Sequence, residues 1–236
     1  MINKRERTLG YVATTLLAFL LMATNLGSET VRAIGLPDTS PTSNFSQTIN
    51  PGTLATDIVN GSYVAVGSPA VAMGAITFGF TCQTTTGTFG TGTQQIYVKN
   101  PDASATGWAV SLAAASPTAY WASAGTNMDF NDPTTAGCTD GADADSLKGQ
   151  MSVDPSVGTL AVGQCSVCTT TGVTKGTSAA FNQGTLDSIT ILSGAAGSDD
   201  IGDWKLTGVS ISQKIPAEQP AASDYAIPLT LSIVAI

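Results

Sequence analysis

The stretch Tyr225-Ala226-Ile227-Pro228-Leu229-Thr230-Leu231-Ser232-Ile233 places a large apolar residue at every second position. A period of two puts one set of side chains on the core face of a β-strand and the other set toward solvent. Pro228 has no N–H to donate to a ladder, so we expect it near the start of this strand or on a sheet edge. The C-terminus therefore predicts a one-faced strand.

The same alternation recurs upstream. In residues 204–211 the apolar parity changes after Gly208, which predicts a β-bulge there. After residue 33, no segment has an apolar stripe at helical spacing. The sequence therefore predicts an all-β fold, an antiparallel β-sandwich of two packed sheets. The other alternating stretches are residues 76–80, 95–99 and 108–112.

The N-terminus has the pattern of a secretory signal peptide. Basic residues stand among the first seven, residues 11–23 are apolar, and Val31 and Ala33 are small residues before a cut after Ala33. An uncleaved anchor is the alternative, but the apolar run is shorter than the roughly 20 residues that a bilayer needs. We predict a signal peptide over residues 1–33, a flexible leader over 34–52 and a single domain over 53–236.

Charge and residue type exclude several function classes. Removing residues 1–33 takes away four basic and two acidic residues, so the net charge changes from −8 to −10, with five lysines and no arginine left. Such a chain lacks the row of cations that nucleic acid or an anionic membrane surface requires. It has no histidine for a catalytic triad or a metal ligand. We therefore predict a protein that is not an enzyme, with paired-carboxylate hydrolysis as the alternative.

Residues 114–185 break the strand rhythm and predict a long insertion or loop region that is acidic and contains cysteines, with short strands of its own as an open alternative. Asp and Asn alternate there among small residues, and several such oxygens can surround one calcium ion. The competing interpretation is a pair of solvent-facing Asx turns. No other cofactor is expected. The candidate calcium ligands are Asp129, Asn131, Asp132, Asp140, Asp143 and Asp145.

Four cysteines, Cys82, Cys138, Cys165 and Cys168, suggest disulfides in an exported chain. They allow three pairings, and all three stay open at this point. The favoured arrangement bonds Cys138 to one member of the close pair, which would staple the acidic insertion.

The three tryptophans divide into two kinds. Trp108 and Trp204 are in phase with apolar neighbours, which predicts burial in the core. Trp121 follows Tyr120 in a loop-like setting, so these two residues are the candidates for facing a ligand.

The order of motifs resembles the WxL family of bacterial surface proteins. The matching motifs are Gly107-Trp108-Ala109-Val110, Trp204-Lys205-Leu206 and a C-terminal strand opened by Tyr225. The family's second tryptophan motif is replaced by Leu229-Thr230-Leu231-Ser232. The resemblance covers residues 54–113 and 186–236. It implies a surface-associated, non-enzymatic β-sandwich that takes part in envelope attachment or adhesion.

The function predicted is that of an exported cell-surface protein that binds cell-wall polymer or neighbouring surface proteins. A self-assembling pilus or surface-layer subunit is the main alternative, because an apolar edge strand pairs readily with another chain. A secreted carbohydrate-active enzyme is the third. We expect an extracellular location, no nucleic-acid partner and no membrane span after cleavage of the signal peptide.

Overall fold

The computed structural model describes residues 45–50, 52–101, 106–132, 138–141, 143, 145–197 and 201–236. The predicted signal peptide and most of the predicted leader lie outside these residues. The chain divides into the units Met1–Ile49 and Asn50–Ile236. Of the first unit, residues 45–49 are described, and they are exposed and without regular structure.

The described part of the second unit consists of strands and one short 3-10 helix, Pro155–Val157. No helix in the described ranges is long and apolar enough to cross a membrane. The strands are β1 (Ala55–Val59), β2 (Gln83–Phe89), β3 (Gln95–Asn100), β4 (Trp108–Ala114), β5 (Trp121–Ala122), β6 (Asn127–Met128), β7 (Gln150–Asp154), β8 (Thr159–Val162), β9 (Val173–Lys175), β10 (Ala179–Ala180), β11 (Ser188–Gly194), β12 (Gly202–Thr207), β13 (Val209–Ile215) and β14 (Leu229–Ala235).

All strand pairs are antiparallel, which confirms the predicted all-β antiparallel class for the residues that are described. Three four-stranded sheets form: sheet I in the order β1-β3-β12-β8, sheet II in the order β10-β7-β13-β2, and sheet III in the order β14-β4-β11-β9. The β5–β6 hairpin stands beside them. A sandwich would have two main sheets, whereas the hydrogen bonds between these strands define three four-stranded sheets.

One stretch of chain passes from sheet I to sheet II at a corner. The strand predicted over residues 204–211 splits at Gly208 into β12 in sheet I and β13 in sheet II. Gly208 has φ +77°, and its N–H donates to the carbonyl of Gly90, which has φ +83° and follows β2. The parity change at Gly208 is therefore a corner between sheets, where the sequence predicted a bulge within one sheet.

One apolar core joins the three sheets. Trp108, Val110 and Leu112 of β4 are buried, as their alternation predicted, and so are Ile96 and Val98 of β3. The C-terminal strand β14 lies at the edge of sheet III and is half-buried on its Leu229, Leu231 and Ile233 face, with Pro228 just before it. These strands confirm the period-two predictions over residues 95–99 and 108–112 and at the C-terminus.

The strand predicted from the alternation over residues 76–80 does not form. Ile76, Phe78 and Phe80 lie outside every strand and are 41%, 49% and 77% exposed. Side chains alternate with a period of two along any extended chain. A β-strand also needs a neighbouring strand to form hydrogen bonds with its backbone. The bridge between Met73 and Gly87 ends before this stretch begins.

Residues 114–185, predicted as an insertion, supply strands to all three sheets: β7 and β10 to sheet II, β8 to sheet I and β9 to sheet III. Met151, Val153 and Phe181 of this stretch are fully buried. The strands within this stretch therefore contribute to the core, as short strands of its own would, and the stretch is not simply a loop outside it. These strands have two to five residues, too few for the alternation to stand out in the sequence.

Candidate functional site

Three aspartates form the acidic cluster: Asp129, Asp143 and Asp145. One carboxylate oxygen of each lies within 4.8 Å of those of the other two. Asp129 is 1% exposed, Asp143 is half-buried and Asp145 is exposed. The sequence analysis proposed all three, and the fold brings them together although Asp143 follows Asp129 by 14 positions.

Backbone pairing holds Asp129 in position. Its N–H donates to the carbonyl of Lys148 at 2.9 Å, and the N–H of Asp132 donates to the carbonyl of Gly149 at 3.0 Å. Gly149 has φ +137°, and a Cβ placed there would lie 2.2 Å from the backbone oxygen of Asp129. The chain that follows the segment of Asp143 and Asp145, which we call the acidic loop, can therefore approach Asp129 this closely only with glycine at position 149.

The Asp129 carboxylate is satisfied on one side only. Its Oδ1 accepts the backbone N–H groups of Phe130 at 2.6 Å and Asn131 at 3.2 Å. Its Oδ2 is buried and has no hydrogen-bond partner among the described residues. Burial raises the pKa of this carboxyl to about 7, and the nearby charges of Asp145 and Asp143 add to the rise.

The other predicted ligands lie differently. Asn131 and Asp132 are fully buried beside Asp129, and the side-chain amide of Asn131 donates to the carbonyl of Pro117 at 2.8 Å. Asp140 is exposed and does not belong to the cluster. Of the five aspartates among the predicted ligands, the structure thus brings three within reach of one ion.

All four cysteines form disulfides, as predicted, but the favoured pairing was wrong. The bonds join Cys82 to Cys138 and Cys165 to Cys168. Cys82 stands just before β2, in a part of the chain that the sequence reasoning placed outside the insertion. Spacing alone could not show that the two chain segments meet.

A buried carboxylate holds the Cys165–Cys168 loop. Asp203 accepts the N–H of Gln164 at 2.6 Å, the N–H of Cys165 at 2.8 Å and the hydroxyl of Tyr97 at 2.7 Å. With these donors, Asp203 is anchored as a structural residue in β12.

Trp108 and Trp204, from the two WxL-like motifs, are 1% and 0% exposed, and their ring centroids are 5.4 Å apart. Their predicted burial in the core is confirmed. The indole N–H of Trp204 donates to the carbonyl of Thr169 at 2.8 Å.

Trp121, a predicted ligand-facing residue, lies in the wall of two clefts with volumes of about 550 Å³ and about 410 Å³. Tyr120 is exposed but lines neither of them. Both clefts also share Val71, Met73 and Tyr225, so the two are contiguous. We call the larger one the apolar cleft.

The apolar cleft contains no charged side chain in its lining. Ile76 and Phe78 stand in its wall with large exposed fractions, and Phe78 packs edge-on against Phe80 at 5.4 Å. Sequence reasoning missed this feature because it assigned these residues to the core. Their exposure could have been suspected from the glycines on both sides, Gly74 and Gly79, which are unfavourable in strand interiors.

Two amide side chains in this lining, those of Gln213 and Gln219, are bonded within the chain. The Gln213 side chain accepts from the Trp121 indole N–H at 2.9 Å and donates to the carbonyls of Asp129 and Lys214. The Gln219 amide donates to the carbonyl of Asn127 at 3.0 Å and to the hydroxyl of Tyr225 at 2.8 Å. These two amides therefore have little hydrogen-bonding capacity left for a ligand.

No family model, curated protein or solved structure matches this chain. The resemblance to the WxL family stays a prediction from the motifs.

Proposed function

We propose that the protein is exported to the bacterial cell surface and acts there without catalysis, by binding neighbouring surface proteins. The signal-peptide pattern of residues 1–33, the absence of histidine and the two disulfides support this proposal. Disulfides persist in oxidising compartments outside the cytosol.

The observation that carries the proposal is the apolar cleft with its exposed rim. Ile76, Phe78 and Phe80 together present apolar side chains to solvent on one short segment. Contiguous exposed apolar residues beside a concave wall are typical of a binding surface. Isolated apolar residues elsewhere on the surface need no such explanation.

The occupant that fits this cleft is an uncharged, extended, apolar segment of a neighbouring protein. A charged segment would lose hydration without gaining a partner, because the lining has no charge. A glycan would bring many hydroxyl groups, whereas Gln213, Gln219 and Thr85 already bond within the chain. Unpaired hydroxyls in a closed interface would cost binding energy.

The test uses labelled protein of residues 34–236 and three surfaces: intact cells of the host, cells stripped of surface protein by protease, and wall sacculi free of protein. We expect binding to intact cells and at least about tenfold weaker binding to the other two. Phe78→Ser should reduce binding to intact cells by about tenfold, a loss of about 1.4 kcal/mol that one buried aromatic contact supplies.

Val167→Ser is the matched control, because Val167 is 87% exposed and lies on the Cys165–Cys168 loop away from the cleft lining. It should bind like the parent protein. Equal binding to protein-free sacculi would show that wall polymer is the ligand. Full binding by Phe78→Ser would show that the cleft is not the site.

A second candidate is self-assembly, in which another copy supplies the bound segment. Residues 45–50 contain no charged residue, and Phe45 and Ile49 are 96% and 88% exposed. Phe45 and Ile49 are four positions apart, so in an extended chain they lie on the same face. The face of this segment that carries Phe45 and Ile49 has the apolar chemistry that the cleft requires.

Tryptophan fluorescence can test this candidate, because Trp108 and Trp204 are buried and Trp121 lies in the cleft wall. A peptide of residues 42–50 should change the emission in a saturable manner, and the same peptide with Phe45→Ser and Ile49→Ser should not. The protein of residues 34–236 should also gain mass with concentration in light scattering. Identical titrations with both peptides would exclude this segment as the occupant.

A further inference from the structure

The acidic cluster contains a buried carboxyl group that the described protein groups satisfy at one oxygen only. Asp129 is 1% exposed, and its Oδ2 has no hydrogen-bond partner among the described residues. An ionised carboxylate with a bare buried oxygen is costly in free energy unless a cation or a donor reaches it. Two backbone N–H groups already donate to Oδ1, so the oxygen that lacks a hydrogen bond or a cation is Oδ2.

The neighbouring carboxylates of Asp143 and Asp145 increase the free-energy cost of leaving this oxygen without a cation or a donor. Asp143 and Asp145 bring further carboxylate oxygens within 4.8 Å, and Oδ2 of Asp143 is also buried without a hydrogen-bond partner among the residues described. Like charges at such distances repel each other. Three carboxylates held together in this way are stable only with a proton or a cation among them.

We propose that Asp129, Asp143 and Asp145 bind one Ca²⁺ ion. Oxygen ligands select hard cations, and the cluster contains neither sulfur nor imidazole. Calcium–oxygen distances are about 2.3–2.6 Å, so oxygens on opposite sides of the ion stand about 4.6–5.2 Å apart, which the spread of these three atoms accommodates. Magnesium keeps most of its water and seldom uses a cage made of protein groups alone.

The ion would connect the acidic loop to the core. Asp129 sits beside Phe130, which is buried and packs on Phe181 at 5.1 Å. Asp143 and Asp145 lie in the loop that follows Cys138. Calcium would thus hold this loop against the core at a second point, beyond the Cys82–Cys138 bond. None of the three aspartates lines the apolar cleft, and calcium binding is measured separately from surface binding, so failure of this proposal and failure of the proposed function can be distinguished.

Calorimetric titration of the protein of residues 34–236 with CaCl2, after EDTA treatment and dialysis, tests the site. We expect one ion per chain. The thermal midpoint should rise by about 5–10 °C when calcium exceeds its Kd about a hundredfold. MgCl2 at the same concentration should give a much smaller rise.

Two variants separate metal binding from folding. Asp129→Asn keeps the shape and the Oδ1 acceptor but removes the buried charge, so without calcium it should melt at or above the midpoint of the parent protein, and with calcium it should not shift. The double variant Asp143→Asn/Asp145→Asn changes residues at or near the surface and should also lose the shift. Asp57→Asn, at an exposed aspartate of β1, is the control and should keep it.

The proposal fails if the parent protein shows no heat of binding and no midpoint shift at 5 mM calcium. It also fails if Asp143→Asn/Asp145→Asn binds calcium as the parent protein does. Because that double variant leaves the buried Asp129 unchanged, loss of folding is not expected to obscure the result.

Discussion

At the scale of single residues, the buried amide of Gln213 joins the two candidate sites. The residue is 1% exposed and stands in β13. Its Oε1 accepts the indole N–H of Trp121 in the cleft wall, and its Nε2 donates to the backbone carbonyl of Asp129. One side chain therefore positions a wall of the apolar cleft and the segment that carries the acidic cluster.

We expect Gln213→Leu to destabilise the protein by about 2–3 kcal/mol, because it leaves the Trp121 N–H and the Asp129 carbonyl buried without that partner. Urea unfolding followed by circular dichroism measures the effect. Gln150→Leu, which removes one bond from a half-buried amide to the carbonyl of Phe181, should cost only about 1 kcal/mol. Equal losses in the two variants would contradict the role assigned to Gln213.

Tyr97 gives a residue-scale prediction for alkaline pH. Burial, followed by the hydrogen bond to Asp203 and the charge of that carboxylate, raises the pKa of its phenol well above the ordinary value of 10. Above pH 10 the unfolded chain releases this proton and the folded chain retains it. Stability should therefore fall as pH rises beyond 10, by at most about 1.4 kcal/mol per pH unit for this group.

Tyr97→Phe removes the titrating phenol. The free energy of unfolding of this variant should therefore decline less than that of the parent protein between pH 8 and pH 10.5. The variant should be less stable than the parent protein at pH 8, because it loses the bond to Asp203. Urea unfolding midpoints of both proteins at the two pH values measure this difference. Parallel losses in both proteins would mean that other groups control the alkaline transition.

At the scale of elements, the corner between β12 and β13 lets one chain segment serve two sheets. Trp204 and Leu206 before the corner and Val209 and Ile211 after it are all buried in the same core. A regular strand would alternate across position 208 and turn Val209 and Ile211 away from the core. The left-handed backbone of Gly208 restores the correct face, and this conformation costs glycine little.

Gly208→Ala should destabilise the protein by about 1–2 kcal/mol through its backbone alone. There is room for the methyl group, since the nearest atom to a Cβ at this position would be 3.9 Å away. Gly208→Asn should cost less, because asparagine tolerates this region better. Gly92→Ala, with open space around it, should be close to neutral in the same thermal melts, and a comparable loss there would refute the explanation.

At the scale of the whole molecule, charge is sparse and strongly unbalanced. Residues 34–236 contain fifteen acidic residues and five lysines. Three of those lysines donate to carbonyl or hydroxyl oxygens: Lys175 to Gly158, Lys205 to Tyr63 and Lys214 to Thr84. Negative self-repulsion is therefore a net cost of folding for this chain.

Sodium chloride should stabilise the protein by screening this repulsion. Raising its concentration from 10 to 150 mM shortens the screening length from about 30 Å to about 8 Å. We expect the thermal midpoint to rise by about 2–4 °C, measured in EDTA so that calcium plays no part. A midpoint that falls with salt would show that attractive ion pairs dominate.

Prediction from the sequence succeeded where a strand is long and has one buried face. Residues 95–99 and 108–112 form strands with the predicted inward side chains. It failed at residues 76–80, where the chain is extended but has no strand partner, and at Met151 and Val153, whose strand is too short to reveal its period. Local alternation reports backbone extension and does not report pairing.

The sequence by itself determined the class of the fold, the burial of Trp108 and Trp204, and the aspartates from which a cation site could be built. Only the tertiary structure decided which cysteines bond, which of six oxygen-bearing residues meet, and that Phe78 lines an open cleft. The physical reason is that side-chain period is set by neighbours along the chain. Disulfides, carboxylate clusters and clefts instead depend on contacts between residues such as Cys82 and Cys138, which are 56 positions apart.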